Sequence, residues 1–207
     1  MTRVNVHARP IRVYVVSIAI ALASVGAPSN RLSAQAQTTS GATESSSKRM
    51  ADGKQWTTHN LNVTTTQSYC YDDSEVNCRQ YGRLYTWESA QRVCQTLEGG
   101  WRLPTDDEWR QMATHYGGIG NESSDNGKGA YAALLNDGSS GFNAMLAGNR
   151  GLDGQYERLQ AHGFYWTASE SDSGKAVFYN FGAGSHALFR QSGGEKQMAI
   201  SVRCVRD

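Results

Sequence analysis

The side chains of this 207-residue chain best suited to chemistry are four cysteines, Cys70, Cys78, Cys94 and Cys204, and the acidic run Asp106-Asp107-Glu108 within "WRLPTDDEW". Thiolates attack carbon or ligate metals, and clustered carboxylates move protons or hold cations. The cysteines show no C-x-x-C spacing. His59, His115, His162 and His186 are scattered, with no i, i+4 pair and none beside a cysteine. Neither a zinc site nor a base-activated cysteine nucleophile is expected from such a pattern.

The acidic run reads as a helix start. Thr105 follows Pro104 and stands three residues before Glu108, the T-x-x-E capping box in which each side chain takes a free backbone N–H of the other residue. Asp106 and Asp107 then occupy the first turn, where a negative charge is stabilised by the helix dipole by about 0.3–1 kcal/mol. Trp109, Met112 and Tyr116 recur on one face, and Gly117-Gly118 stops the helix. An earlier helix is expected after Thr86, with Trp87, Ala90, Cys94 and Leu97 as its apolar stripe and Gly99-Gly100 as its stop.

These elements belong to a chain with an export pattern. Arg3, Arg9 and Arg12 precede an uncharged apolar run, Val13 to Ala27, and Ala34-Gln35-Ala36 supplies an A-x-A site, so residues 1–36 are expected to be a signal peptide. Residues 37–52, rich in Ser, Thr and Ala, are expected to be a flexible linker, and 53–207 a single domain. The expected location is secreted or periplasmic, with no membrane attachment after cleavage. The signal holds four arginines and no acid, which leaves 16 basic against 19 acidic residues and no basic stripe. A nucleic-acid partner is therefore not expected.

In an exported chain an even number of cysteines argues for disulfides. Three pairings are open. Cys70 and Cys78 flank the polar turn "YDDSEVN", which suits a staple across a small hairpin or loop. That pairing leaves Cys94 to join Cys204, tying a helix to the last strand.

The segment "KQWTTHNLNVTTT" reads as an early strand pair and "AYAALLN" as a short helix. From Gly138 onward short runs separated by glycines read as strands: "GFNAML", "GQYERL", "GFYWTAS", "KAVFYNFG", "HALFRQS" and "MAISVRCV". The expected fold class is α+β, with two early helices and a Gly-rich antiparallel strand meander held by two disulfides. Among binding features, Trp56, Trp87, Trp101, Trp109 and Trp166 read as core rather than as a stacking platform. Asp72, Asp73 and Glu75 read as a solvated turn rather than a calcium loop. A ligand surface, if present, is expected on the late loops and strand ends, at Tyr179, His186, Phe189, Arg190 and Lys196.

"YCYDDSEVNCRQYGRLYTWESAQRVC", "GWRLPTDDEW", "GFNAMLAGNRGLDGQY", "GFYWTASE" and "ISVRCVRD" together resemble the Fibrobacter succinogenes major paralogous domain. The resemblance implies a C-type-lectin-like fold, akin to that of the formylglycine-generating enzyme, in exported bacterial proteins. It also implies a disulfide between the first helix and the last strand, the places of Cys94 and Cys204. It brings no defined activity. The E-P-N, Q-P-D and W-N-D elements of calcium-dependent sugar-binding lectins are absent from the sequence.

The expected function is a non-enzymatic binding or adhesion module for an extracellular ligand, a glycan or a protein surface, without cofactor or metal. Its competitors are an enzyme of the formylglycine-generating type, a structural envelope domain, and a variable ligand-binding protein of a diversity-generating retroelement, whose corresponding segment is 164–197.

Overall fold

A computed structural model describes residues 46–207. The expected signal peptide and most of the expected linker lie outside the described residues. The linker's last part is not a tether: β1 (Ser47–Arg49) pairs antiparallel with β2 (Gln55–Thr57), and Met50 is buried. The sequence of β1, Ser-Lys-Arg, has no apolar residue, so its strand character comes from the partner. Trp56 of β2 is fully buried and donates its indole N–H to Asp52 Oδ2 at 2.8 Å. The expected early strand pair is thus one strand, with neighbours from elsewhere in the chain.

Next come β3 (Ser68–Tyr69), α1 (Glu75–Tyr81), β4 (Leu84–Tyr85), α2 (Trp87–Val93), α3 (Asp106–Thr114) and α4 (Lys128–Leu134). The Cys70–Cys78 segment is not a hairpin, because Cys78 lies within α1. The expected helix after Thr86 is α2, but it ends at Val93: of the expected stripe Trp87 and Ala90 lie in it and are buried, while Cys94 opens a 3-10 turn and Leu97 lies beyond that turn. α3 begins with the expected capping box. Thr105 Oγ1 accepts from the Glu108 N–H at 3.2 Å, and Glu108 Oε2 accepts from the Thr105 N–H at 2.9 Å.

The strands β5 (Ala147–Arg150), β6 (Tyr156–Leu159), β7 (His162–Glu170), β8 (Lys175–Gly182) and β9 (Ala187–Glu195) form a five-stranded sheet in the order β6-β5-β7-β8-β9. It is not a pure antiparallel meander, since β5 and β7 run parallel at Gly148↔Gly163. "KAVFYNFG" is β8, residue for residue. "GFNAML" stays irregular, and of "MAISVRCV" only Val205 enters a strand, β10 (Val205–Arg206), which pairs with β2. The molecule is α+β.

Disulfides join Cys70 to Cys78 and Cys94 to Cys204, with Sγ–Sγ distances of 2.06 and 2.03 Å, and no cysteine remains free. The second links the end of α2 to the residue before β10.

One core cluster gathers Trp56, Trp109, Phe142, Tyr165, Tyr179 and Phe181 between the sheet and α3 and α4. A second gathers Trp87, Trp101, Phe164, Trp166, Ile200 and Val202 around α2. All five tryptophans are buried. Arg203, fully buried, ties the first cluster together. Its guanidinium donates to Asn60 Oδ1 and to the carbonyls of Thr57, Phe142 and Asn143 at 2.6–2.9 Å, and lies 4.5 Å from the Phe142 ring. Among the described residues no helix is long and apolar enough to cross a membrane.

Candidate functional site

The five residues expected to form a ligand surface do not come together. Tyr179 is fully buried, stacked on Trp109 at 5.0 Å. Tyr179 shares the inner face of β8 with Val177 and Phe181, all of them buried. Burial raises the Tyr179 hydroxyl well above its ordinary pKa, helped by the Asp106 carboxylate. The hydroxyl donates to Asp106 Oδ1 at 3.0 Å, and Arg190 clasps the same carboxylate, so these two candidates fasten α3 to the sheet. Phe189 covers Gly120, where a β-carbon would stand 2.3 Å from the ring. His186 is exposed, edge-on to Tyr131. Lys196 lies past the other end of β9, about 30 Å from His186 at the rise of an extended strand.

Lys196 belongs instead to a cleft of about 380 Å³. Four segments converge there. Gln67 and Tyr69 come from the start of β3, Thr86 and Glu88 from the head of α2, Ser173 and Gly174 from the β7–β8 turn, and Glu195 to Gln197 from the end of β9. Backbone bonds hold the walls together. The Lys196 N–H donates to the Gly174 carbonyl at 3.0 Å, the Trp87 N–H to the Lys196 carbonyl at 2.9 Å, and the Thr86 N–H to the Gln67 carbonyl at 3.2 Å. The first ties the end of β9 to the β7–β8 turn, and the second satisfies an N–H that the helix cannot pair itself.

The Lys196 ammonium is committed within the fold. It donates to Glu170 Oε2 at 2.7 Å and to the Ser173 carbonyl at 3.0 Å, and lies 4.6 Å from the centre of the Trp87 ring. Trp87 is fixed in turn, its indole N–H donating to the Thr167 carbonyl at 2.8 Å. Tyr69, which also lines the cleft, has the Arg150 guanidinium 4.2 Å from the centre of its ring. The remaining groups are the amides of Gln67 and Gln197, the Thr86 and Ser173 hydroxyls, and the carboxylates of Glu88 and Glu195. Such groups can hydrogen-bond a polar ligand and orient it.

Of the cleft residues the sequence pointed only to Lys196. The others lie in four separate segments without a shared motif, so no spacing could have joined them. The acids Asp72, Asp73 and Glu75 serve the fold where they are engaged. Asp73 accepts from the Tyr156 hydroxyl, and Glu75 pairs with Arg83 at 2.7 Å. Cys70, Glu75 and Cys78 bring ligand-type atoms within 4.8 Å of one another, but both sulfurs are in a disulfide, which leaves the group no thiolate.

The chain matches the model of the Fibrobacter succinogenes major domain over residues 37–206. It belongs to that family. No curated protein and no solved structure matches the chain.

Proposed function

We propose that this protein is an exported, non-enzymatic binding module on a C-type-lectin-like scaffold, and that its ligand, a glycan or a protein surface outside the cytoplasm, docks in the cleft beside Thr86 and Lys196. The observation that carries this reading is the build of the cleft. Amide, hydroxyl and carboxylate groups converge on walls held by backbone hydrogen bonds, so little freedom is lost when a ligand is bound. Family membership and the Cys94–Cys204 link between a helix and the C-terminal strand support the scaffold assignment.

Glycan arrays and calorimetry on the full chain test the reading. A retained ligand whose affinity falls about tenfold in Gln197→Ala and in Thr86→Val supports it, that fall being about 1.4 kcal/mol. Failure to retain any ligand, together with turnover of a substrate, overturns it. Alkylation of the unreduced protein separates it from an enzyme of the formylglycine-generating type, which needs free thiols. The binding module takes no label.

A further inference from the structure

We propose a second site, on the face of the five-stranded sheet opposite Tyr165 and Tyr179, that takes the acetamido group of an N-acetylated amino sugar. It goes beyond the cleft and shares with the preceding reading only the idea that the ligand is a glycan. A hollow of about 90 Å³ lies there. It is lined by Phe164, Ile200, Phe178 and Met198, with Asn149 and Arg158 supplying its polar atoms. Phe164 is 8% exposed and Ile200 fully buried, so both are held by the core.

The telling residue is Asn149. It is 6% exposed, and its Oδ1 accepts from an Arg158 guanidinium nitrogen at 3.0 Å. That bond orients the amide, since a guanidinium only donates. The Nδ2 group has no hydrogen-bond partner among the described residues, yet it is not among the sealed, unpaired polar atoms. Asn149 lines the hollow, which is where an acceptor can reach this donor. The other lining side chains near it are hydrocarbon or thioether, apart from Arg158, and none of them offers an oxygen.

An acetamido group complements both halves of this arrangement. Its methyl suits the apolar side chains of Phe164, Ile200 and Met198, and its carbonyl oxygen accepts from Asn149 Nδ2. The volume suits that group and excludes a whole sugar ring, which must lie outside. There the His162 ring, parallel to Phe164 at 5.3 Å and half-buried, offers a flat surface. A free amine has no acceptor in the hollow, because Asn149 Oδ1 is already taken. A free carboxylate gains little from Arg158, whose charge is met by Glu157 at 2.9 Å.

Calorimetry of the full chain with three probes tests this: a trimer of N-acetylglucosamine, the same trimer without acetyl groups, and an acetyl-lysine peptide. The acetylated trimer is expected to bind at least about tenfold more tightly than either of the others. Phe178→Ala and Arg158→Ala are expected to remove that preference while keeping the melting temperature within a few degrees, and Gln197→Ala in the cleft to leave it unchanged. Equal binding of the two trimers, or no binding of the acetylated one at millimolar concentration, overturns the proposal. So does preference for the peptide. Loss of trimer binding in Gln197→Ala but not in Phe178→Ala also overturns it, while leaving the cleft reading intact. Should Phe178→Ala unfold the protein, Met198→Trp, which fills the hollow, is expected to abolish the preference in a folded chain, and a preference kept there overturns the proposal.

Discussion

Asp106, the first residue of α3, and Arg190, in the edge strand β9, are joined by a bifurcated hydrogen bond and an ion-pair contact. Arg190 Nε reaches both carboxylate oxygens at 2.8–2.9 Å, and a terminal nitrogen reaches Oδ2 at 2.7 Å. The pair fastens the helix N-terminus to the sheet across 84 residues of sequence. The two side chains are 15% and 29% exposed, so screening is partial. Asp106→Asn is expected to destabilise the protein by about 1–2 kcal/mol, between the values of exposed and buried pairs. Urea denaturation measures it, and an unchanged midpoint would refute the fastening role.

Glu108 predicts a pH dependence. Burial acts to raise its pKa, but hydrogen bonds from Arg102 and the Thr105 N–H, with the charges of Arg102 and Lys54, outweigh it and hold the carboxyl at about 2. A depressed carboxyl stabilises the fold above its unfolded pKa, and that stability is lost as pH falls through the folded value. Stability is therefore expected to drop between about pH 4.5 and pH 2. Arg102 is 39% exposed, so we expect about 2 kcal/mol after screening. Glu108→Gln should lose that amount at pH 7 and match the parent near pH 2. Parallel curves for the two proteins across this range would count against the assignment.

The disulfides differ in the length of chain they close. Cys94–Cys204 spans 110 residues and Cys70–Cys78 spans 8. Chain entropy assigns them about 4–5 and about 2–3 kcal/mol respectively. Replacing both cysteines of the long bridge by alanine is expected to lower the denaturation midpoint more than the same change in the short one. The reverse order would show that unfolded-state structure or local packing dominates.

Arg203 holds the middle of the molecule through donors rather than through an ion pair. Burial lowers the pKa of its guanidinium. Four acceptors nonetheless depend on it, Asn60 Oδ1 and three main-chain carbonyls. Arg203→Leu leaves these without a donor at about 1–3 kcal/mol for each unsatisfied buried group, which exceeds the stability of many domains. The variant is expected not to fold. Arg203→Lys, a point donor in place of a planar fork, is expected to fold with a loss of several kcal/mol. Proteolysis resistance and circular dichroism separate the outcomes, and a stable leucine variant would remove Arg203 from this role.

Local chemistry made parts of this protein legible in advance. The Thr105–Glu108 capping box, the start of α2 and the extent of β8 depend on residues within a few positions of one another, and spacing reports them directly. Other parts were not local. The polar β1 is a strand only because β2 pairs with it, and Cys78 sits in a helix because its stretch can be wound as readily as turned.

The sequence alone determined the class of structure, the start of α3 and the supply of four cysteines, because capping, periodicity and cysteine number are properties of short stretches and of composition. Only the tertiary structure decided that Tyr179 faces inward, that Arg190 is committed to Asp106, and that Lys196 shares a cleft with Gln67 and Thr86. A two-residue alternation is symmetric between its faces, and the choice is made by whatever packs against one of them. A cleft drawn from four distant segments exists only once long-range contacts have closed it.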